Sequence, residues 1–456
     1  MLSVRPAAVA GIFYPGDARE LETEVAELID GVENLAPRFS HPKALIVPHA
    51  GYRYSGQVAA RAYDELAAAR GVVKRVVLLG PVHRVAVRGL AVPSAAAFAT
   101  PLGKVRIDRE ALQALRDLPQ VVASDRAHAL EHSLEVQLPF LQRQLGDFSL
   151  APFAVGDASV EEVAAVIERL WGGVETLLVI STDLSHYHAY EAARAIDQST
   201  LARIAARATD LGHEEACGAT PLNGFLAVAA KRAMPVKLLA ACNSGDTAGG
   251  RGKVVGYSAF AAHEGGEVSL RDAGEALLSI ARGAIEKELL EKTESTVDRP
   301  WLKQAGATFV TLTRNGQLRG CIGSLSPQRP LGADIAENAL GAAFRDPRFP
   351  ALTREEWPQC RVEVSLLSTP KPLRFADEAD LLGQIVPGED GLILEADGKR
   401  GTFLPQVWEG MPDKSVFLRE LLKKAGLPQD TRLGRCKVSR YRVAKFREEG
   451  QGREVP

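Results

Sequence analysis

Four segments of this 456-residue chain end a buried, strand-like run on residues able to hold a metal or move a proton. LIVP leads to His49 in PHAGY, and VVLLG leads to His83 in GPVHR. LLVIST leads to Asp183 and His186 in STDLSH, and KLLAAC leads to Asn243, Ser244 and Asp246 in NSGD. In open α/β sheets, ligands gather beyond the carboxyl ends of the strands. Two neutral imidazoles and one carboxylate leave coordination positions open on a divalent ion, as in non-haem Fe(II) oxygen chemistry. Zinc with an activated water is also compatible. A further histidine could act as general acid or base, since imidazole titrates near neutrality. Asp183, three residues before His186, could orient it.

Each residue alone has a plainer role. A single histidine after a strand more often satisfies loop backbone groups. Asp183 could cap a helix, and NSGD is rich in turn formers. The four together favour a site. A second cluster, Glu131, His132 and Glu135, falls on an expected helix, EHSLEVQLPFLQRQL, bent or interrupted at Pro139. Positions four apart share a helix face. The two glutamates therefore fit a solvated stripe as well as a site, whereas His132 is expected to reach the crevice.

These residues need a scaffold of strands and helices. DARELETEVAELID, GQVAARAYDELAAA, SVEEVAAVIERLW and YEAARAIDQSTLARIAAR have helical periodicity, with Asp17 and Glu20 forming a capping-box-like pair at the first. KALIVP, VKRVVLLG, TLLVIST, VKLLAAC and KVVGYSAFAA read as strands. The alternation predicts an α/β domain over residues 1–264 with a largely parallel central sheet covered on both faces. The break falls near AAHEGGEVSLRDAG, at the Gly265-Gly266 turn, with Ser269 or Asp272 opening the next helix. Residues 267–450 read as α+β. Hairpins are expected at Asn315-Gly316 and Asp397-Gly398, helices at LGADIAENALGAAFR and SVFLRELLKKAG, and a final strand at KVSRYRVAKF. The tail REEGQGREVP is expected to fray.

All nine histidines lie between His41 and His263, so imidazole chemistry belongs to the first domain. With 55 Lys+Arg against 57 Asp+Glu, the chain lacks the basic excess of a nucleic-acid binder. Five scattered cysteines form no disulfide framework and no Cys-x-x-Cys, so a structural zinc ribbon is not expected. The start has no signal-peptide pattern, and no apolar run is long enough to span a membrane. A cytoplasmic protein with reduced thiols is expected.

The ordered phrases IFYPGDARELE, VPHAGYRYSG, LLGPVHR, TPLGKVRID, EHSLEVQLPFL, STDLSHY and GYSAFAA resemble the Memo family over roughly residues 5–262. The resemblance implies a fold similar to class III extradiol dioxygenases and an Fe(II) site. It implies His49 and His83 as metal ligands and Asp183 and His186 as pocket residues. His132 joins those two as a candidate catalytic residue. Animal members are taken to supply the third ligand as a cysteine just before the last strand. Here the matching stretch is ACNSGDTAGG, and alignment favours Asp246 over Cys242 or Ser244. A carboxylate is harder than a thiolate, so zinc or copper stays open beside Fe(II).

The second domain resembles the AMMECR type over about 275–445, through ATFVTLTRNGQLRGCIGSL, AFRDPRFPALTREEW, VEVSLLS, DGLIL and GTFLPQVW. Cys321 could be a reactive thiol beside Arg319, although a hairpin cysteine is more often a small core residue. Arg345, Asp346 and Arg348 fit an ion-paired turn better than a recognition loop. Both resemblances in one chain imply the AmmeMemoRadiSam system, with a radical SAM protein as partner. The iron–sulfur site would lie on that partner, since this chain has no cysteine cluster for it. Two functions follow as expectations. One is an Fe(II)-dependent oxidase or dioxygenase acting on a small molecule or modified residue. The other is a non-catalytic scaffold that binds a metal or peptide.

Overall fold

The computed structural model describes residues 3–32, 39, 41–265, 268–291 and 297–448. The chain forms two compact units, Met1–Val32 with Ser40–Glu267, and Glu33–Phe39 with Val268–Pro456. Phe39 therefore belongs with the second unit, where its ring meets Trp301 at 5.3 Å and Phe446 at 6.3 Å. A single aromatic in a non-periodic stretch carries no sign of which core it joins. Gly266 of the expected inter-domain turn and the tail from residue 449 lie outside the described residues.

In the first unit the central strands are β1 (Ala44–Val47), β2 (Arg75–Pro81), β3 (Ser149–Val155) and β4 (Thr176–Ser181). They run side by side as β3-β2-β4-β1, all parallel. Beyond β1 come β6 (Val254–Ala262) and then β5 (Val236–Asn243), joined by antiparallel pairings. The strand SLAPFAV, which is β3, is absent from the sequence-based reading. Pro152 in its middle weakens the strand signal.

Alternation along the strands builds two cores. Leu45, Val47, Val76 and Leu78 face one apolar cluster, and Ala44, Ile46, Val77 and Leu79 face the other. Both faces are covered by helices, so the strands read as continuous apolar runs. Helix α1 (Ala18–Asp30) starts at Asp17, whose side chain accepts from the Arg19 and Glu20 N–H groups. Helix α2 (Tyr52–Asp64) follows the His49 loop, and Tyr63 near its end stacks on Phe140 at 4.8 Å.

The expected long helix over EHSLEVQLPFLQRQL is shorter. Residues 131–134 form a loop and turn, Glu135–Gln137 is a 3-10 turn, and only Leu138–Leu145 (α3) is α-helical. Pro139 lies in the first turn of α3, where its missing N–H costs nothing, so it starts the helix rather than bending it.

In the second unit, β7 (Thr308–Arg314), β8 (Gln317–Gly323), β9 (Cys360–Leu367) and a strand at Val443–Arg447 form an antiparallel sheet. A second small sheet holds Gly391–Ala396 and Lys399–Phe403. Both hairpin turns have two positive φ values, 51° and 78° at Asn315-Gly316 and 51° and 74° at Asp397-Gly398. That is the type I′ geometry that Asn-Gly and Asp-Gly favour. Ser269 caps the helix Leu270–Leu290.

Candidate metal centre

His49 and His83 each stand two residues beyond a strand end, on the loops after β1 and β2. Those strands flank β4, so the loops converge over the end of β4. The loop after residue 130 brings His132 to the same place. One ring nitrogen from each of His49, His83 and His132 lies within 4.8 Å of the others. Ring centroids are 4.8 Å apart for His83–His132, 5.2 Å for His49–His83 and 5.4 Å for His49–His132.

Hydrogen bonds determine which ring nitrogen of His49 and of His83 is unprotonated. The Ser181 hydroxyl donates its one proton to the Ser133 carbonyl at 2.7 Å. It therefore accepts from His49 Nδ1, 2.9 Å away, and His49 Nε2 keeps its lone pair. His83 Nδ1 donates to Glu131 Oε1 at 2.9 Å, which leaves its Nε2 free. His132 Nδ1 lies 3.2 Å from the same oxygen, off the hydrogen-bonding direction. Carboxylate or hydroxyl partners behind metal-binding imidazoles set the tautomer and the ring orientation in this way.

Glu131 is the hub of the loop. Its Oε2 accepts from the His83 N–H at 2.7 Å, and its Oε1 accepts from the His132 and Ser133 N–H groups at 2.9 and 3.0 Å. Burial opposes its ionisation, but the adjacent His132 and His83 imidazoles outweigh that and hold the carboxyl well below the usual range. Glu135 is fully buried and serves another purpose. It accepts from Arg5 at 2.5 Å, Tyr14 at 2.6 Å, and the Ala8 and Val9 N–H groups at 2.8 and 2.9 Å. The solvated stripe considered for these glutamates is thus corrected. Their segment is not one helix face, and both carboxylates bind buried donors.

His49 is buried. Burial first, then the neighbouring His132 and His83, pushes its pKa well below the ordinary imidazole value, so the ring is neutral and able to ligate. Asp183 Oδ1 accepts the His49 N–H at 2.8 Å, and its Oδ2 is 3.9 Å from His49 Nε2. Burial raises the Asp183 pKa against the bond from His49 and the charge of His186. His186 Nδ1 donates to the Leu184 carbonyl at 2.8 Å, leaving Nε2 free.

Asp246, expected as the third ligand, lies outside the group that joins His49 and His83 to His132. Strand β5 ends at the same side of the sheet as β1 but stands two strands away, roughly 10 Å at ordinary strand spacing. There the Asp246 carboxylate accepts from the Tyr190 hydroxyl and from the Asn243 N–H. Ser244 Oγ accepts the Val255 N–H at 3.1 Å. Burial and the Asp246 charge push the Cys242 thiol up to about 12. Among the described residues the third imidazole, His132, stands where a carboxylate was expected.

The thiol near the site is a different one. Cys217 Sγ is 3.3 Å from His49 Nε2, and because that nitrogen is the acceptor, the thiol donates. Burial and the Asp183 charge push the Cys217 pKa up to about 12. Reading from strand ends misses Cys217, since it precedes helix α4 (Ala219–Lys231) instead of following a strand. The one local signal is the glycine after it. A Cβ on Gly218 would come within 2.6 Å of the Ser181 carbonyl, so the Cys-Gly step lies tight against the end of β4.

In the second unit, Arg319 is directed away from Cys321. Its guanidinium binds Glu356 and the Pro350 carbonyl, both at 2.9 Å. Cys321 Sγ accepts from Thr311 Oγ1 at 3.2 Å. The FRDPRFP segment is an ion-paired turn in which Asp346 accepts from Arg348 at 2.6 Å and from the Cys321 N–H at 2.8 Å.

Residues 5–261, more than half of the chain, match the family model described as Memo-like protein, and residues 278–446 match AMMECR1. A MEMO1 family protein of Aquifex aeolicus is 37% identical over 270 residues, covering 56% of this chain and 98% of its own. One from Methanopyrus kandleri is 36% identical over 284 residues, covering 57% and 99%. The crystal structure of an uncharacterized protein from Pyrococcus horikoshii is 37% identical and covers 39% of this chain and 91% of its own, with a TM-score of 0.35. Among the described residues no helix is long and apolar enough to cross a membrane.

Proposed function

From the premise that the chain belongs to the Memo family and carries an AMMECR1 domain after it, we propose a metal-dependent oxidoreductase centred on His49, His83 and His132. The observation that carries this reading is the convergence of three imidazoles, two of which have Nδ1 tied down and Nε2 left unprotonated. Three nitrogen donors fit Fe(II), zinc or copper and leave positions open. Fe(II) is the ion we favour, because the resemblance to an extradiol dioxygenase fold implies it. When bound, it would supply activation of O2 toward a chelating small molecule or a modified residue.

The protein's own groups divide the remaining work. Glu131 and Ser181 hold the rings in the ligating tautomer. Asp183 fixes the His49 backbone and, with its raised pKa, is suited to hold a proton beside the site. His186, with Nδ1 tied to the Leu184 carbonyl and Nε2 free, is the group we assign to proton transfer. Cys217 would add a soft donor beside His49 Nε2 if a bound cation displaced its proton to solvent. A radical SAM protein remains the proposed partner, with this chain presenting two parts of one system at high effective concentration.

The test is anaerobic purification followed by elemental mass spectrometry on the parent chain and on His49→Ala, His83→Ala and His132→Ala. About one iron per chain, reduced in all three variants, supports the reading. Zinc in its place moves the chemistry to hydrolysis or structure. No metal under any loading condition overturns it.

A further inference from the structure

A cavity of about 710 Å³ opens beside the candidate centre, with His83 and Cys217 in its wall. This is the size of a pocket for a small organic molecule. Val82, Val85, Val87 and Val155 make much of the lining apolar. The loop that carries Val82, Val85 and Val87 is held firmly at Val87. A Cβ on Gly156 would come within 2.1 Å of the Val87 carbonyl, and the Asp157 N–H donates to that same carbonyl at 2.8 Å.

Arg84 lies on this loop, next to His83, and also lines the cavity. Among the described residues it has no hydrogen bond or ion pair, and it is exposed. Among the other charged or titratable wall groups, Asp157 is itself largely exposed. Asp157 faces Arg88 at 3.9 Å, and His213 Nδ1 is 3.3 Å from the Cys217 carbonyl. An arginine fork with no internal partner, at the rim of a pocket with a mixed polar and apolar wall, matches a carboxylate or similar planar anion.

We infer that the cavity takes a small organic anion, its apolar body against the valine wall, its anionic end on Arg84 and its chelating end toward His83. This rests on the metal-site reading above and adds the charge of the substrate. The charge of Arg84 is paired only when such a molecule is bound, which selects against neutral isosteres.

The test titrates the iron-loaded chain anaerobically with 3,4-dihydroxybenzoate and with 3,4-dihydroxybenzamide, followed by absorbance and calorimetry. The two probes share size and chelating group and differ in charge. At least tenfold tighter binding of the carboxylate, lost in Arg84→Gln, is the expected result. Equal binding of the two probes overturns the inference and leaves the metal-site reading standing. A preference that persists in Arg84→Gln also overturns it, since the anion is then held elsewhere. Failure of an iron-loaded chain to bind either probe overturns the inference, while failure to load iron on the triad overturns the reading beneath it.

Discussion

Glu131 grips His83 twice, through its backbone N–H at 2.7 Å and its ring Nδ1 at 2.9 Å. One carboxylate thus sets both the path of the β2 loop and the tautomer of the imidazole on it. The same carboxylate accepts the His132 N–H, so two of the three imidazoles depend on one buried side chain.

Glu131→Gln is therefore expected to weaken metal binding by roughly 10- to 100-fold, the usual loss when a partner behind a ligating histidine is removed. Competition with a chromophoric chelator measures this. Unchanged affinity would mean that the rings are held by packing alone.

Glu135 is four residues away and should behave differently. It pins Arg5, Tyr14 and two N–H groups of the N-terminal segment and does not touch the imidazoles. Glu135→Ala leaves Arg5 buried and unpaired, at a cost of about 3–5 kcal/mol. Chemical denaturation should show that loss, with metal content per folded chain close to the parent's. A selective loss of metal would contradict the division of labour between the two glutamates.

Asp246→Asn should leave metal stoichiometry and affinity unchanged, because the carboxylate caps a turn at the sheet edge. Cys217→Ser should lower the affinity for a soft ion such as Cu(I), since it removes the thiol beside His49 Nε2. If metal content collapses in Asp246→Asn and is untouched in Cys217→Ser, the donor assignment is reversed.

A pH effect on stability follows from His128. It is buried, donates Nε2–H to the Ala91 carbonyl, and has its pKa lowered to about 4 by burial. The unfolded chain takes up this proton from about pH 6.5 downward, whereas the folded chain resists until about pH 4. Stability present above pH 6.5 is therefore lost as the pH falls through this window, by about 3 kcal/mol from this one group. His128→Phe should flatten the slope of unfolding free energy between pH 6.5 and 4, while lowering the neutral plateau through loss of the Ala91 bond. An unchanged slope would place the acid sensitivity elsewhere.

Thiol chemistry gives a further check. With its pKa pushed up to about 12, Cys217 should react with iodoacetamide at pH 8 far more slowly than an unfolded-chain thiol. Peptide mapping by mass spectrometry with quenched time points measures this. Labelling at the unfolded rate would show that the thiol is neither buried nor held on His49.

Local rules were sufficient for much of this protein. Apolar runs identified five of the strands that build the sheet, and the polar residues after three of them marked the segments that carry His49, His83, Asp183 and His186. Asn-Gly and Asp-Gly set both hairpins, since few other pairs adopt two positive φ values. These features depend on a few neighbouring residues, so they are visible in one dimension. Strand order is not. Only the tertiary structure places β6 and β5 beyond β1, which carries Asp246 to the sheet edge although its sequence setting matches those of the histidines. Only the folded loop after residue 130 turns Glu131 inward, because a buried carboxylate is stable only where donors from residues far along the chain meet it. Cys217 reaches His49 across 168 positions for the same reason. The donor types were written in the sequence, while their grouping was decided by which chain ends the sheet brought side by side.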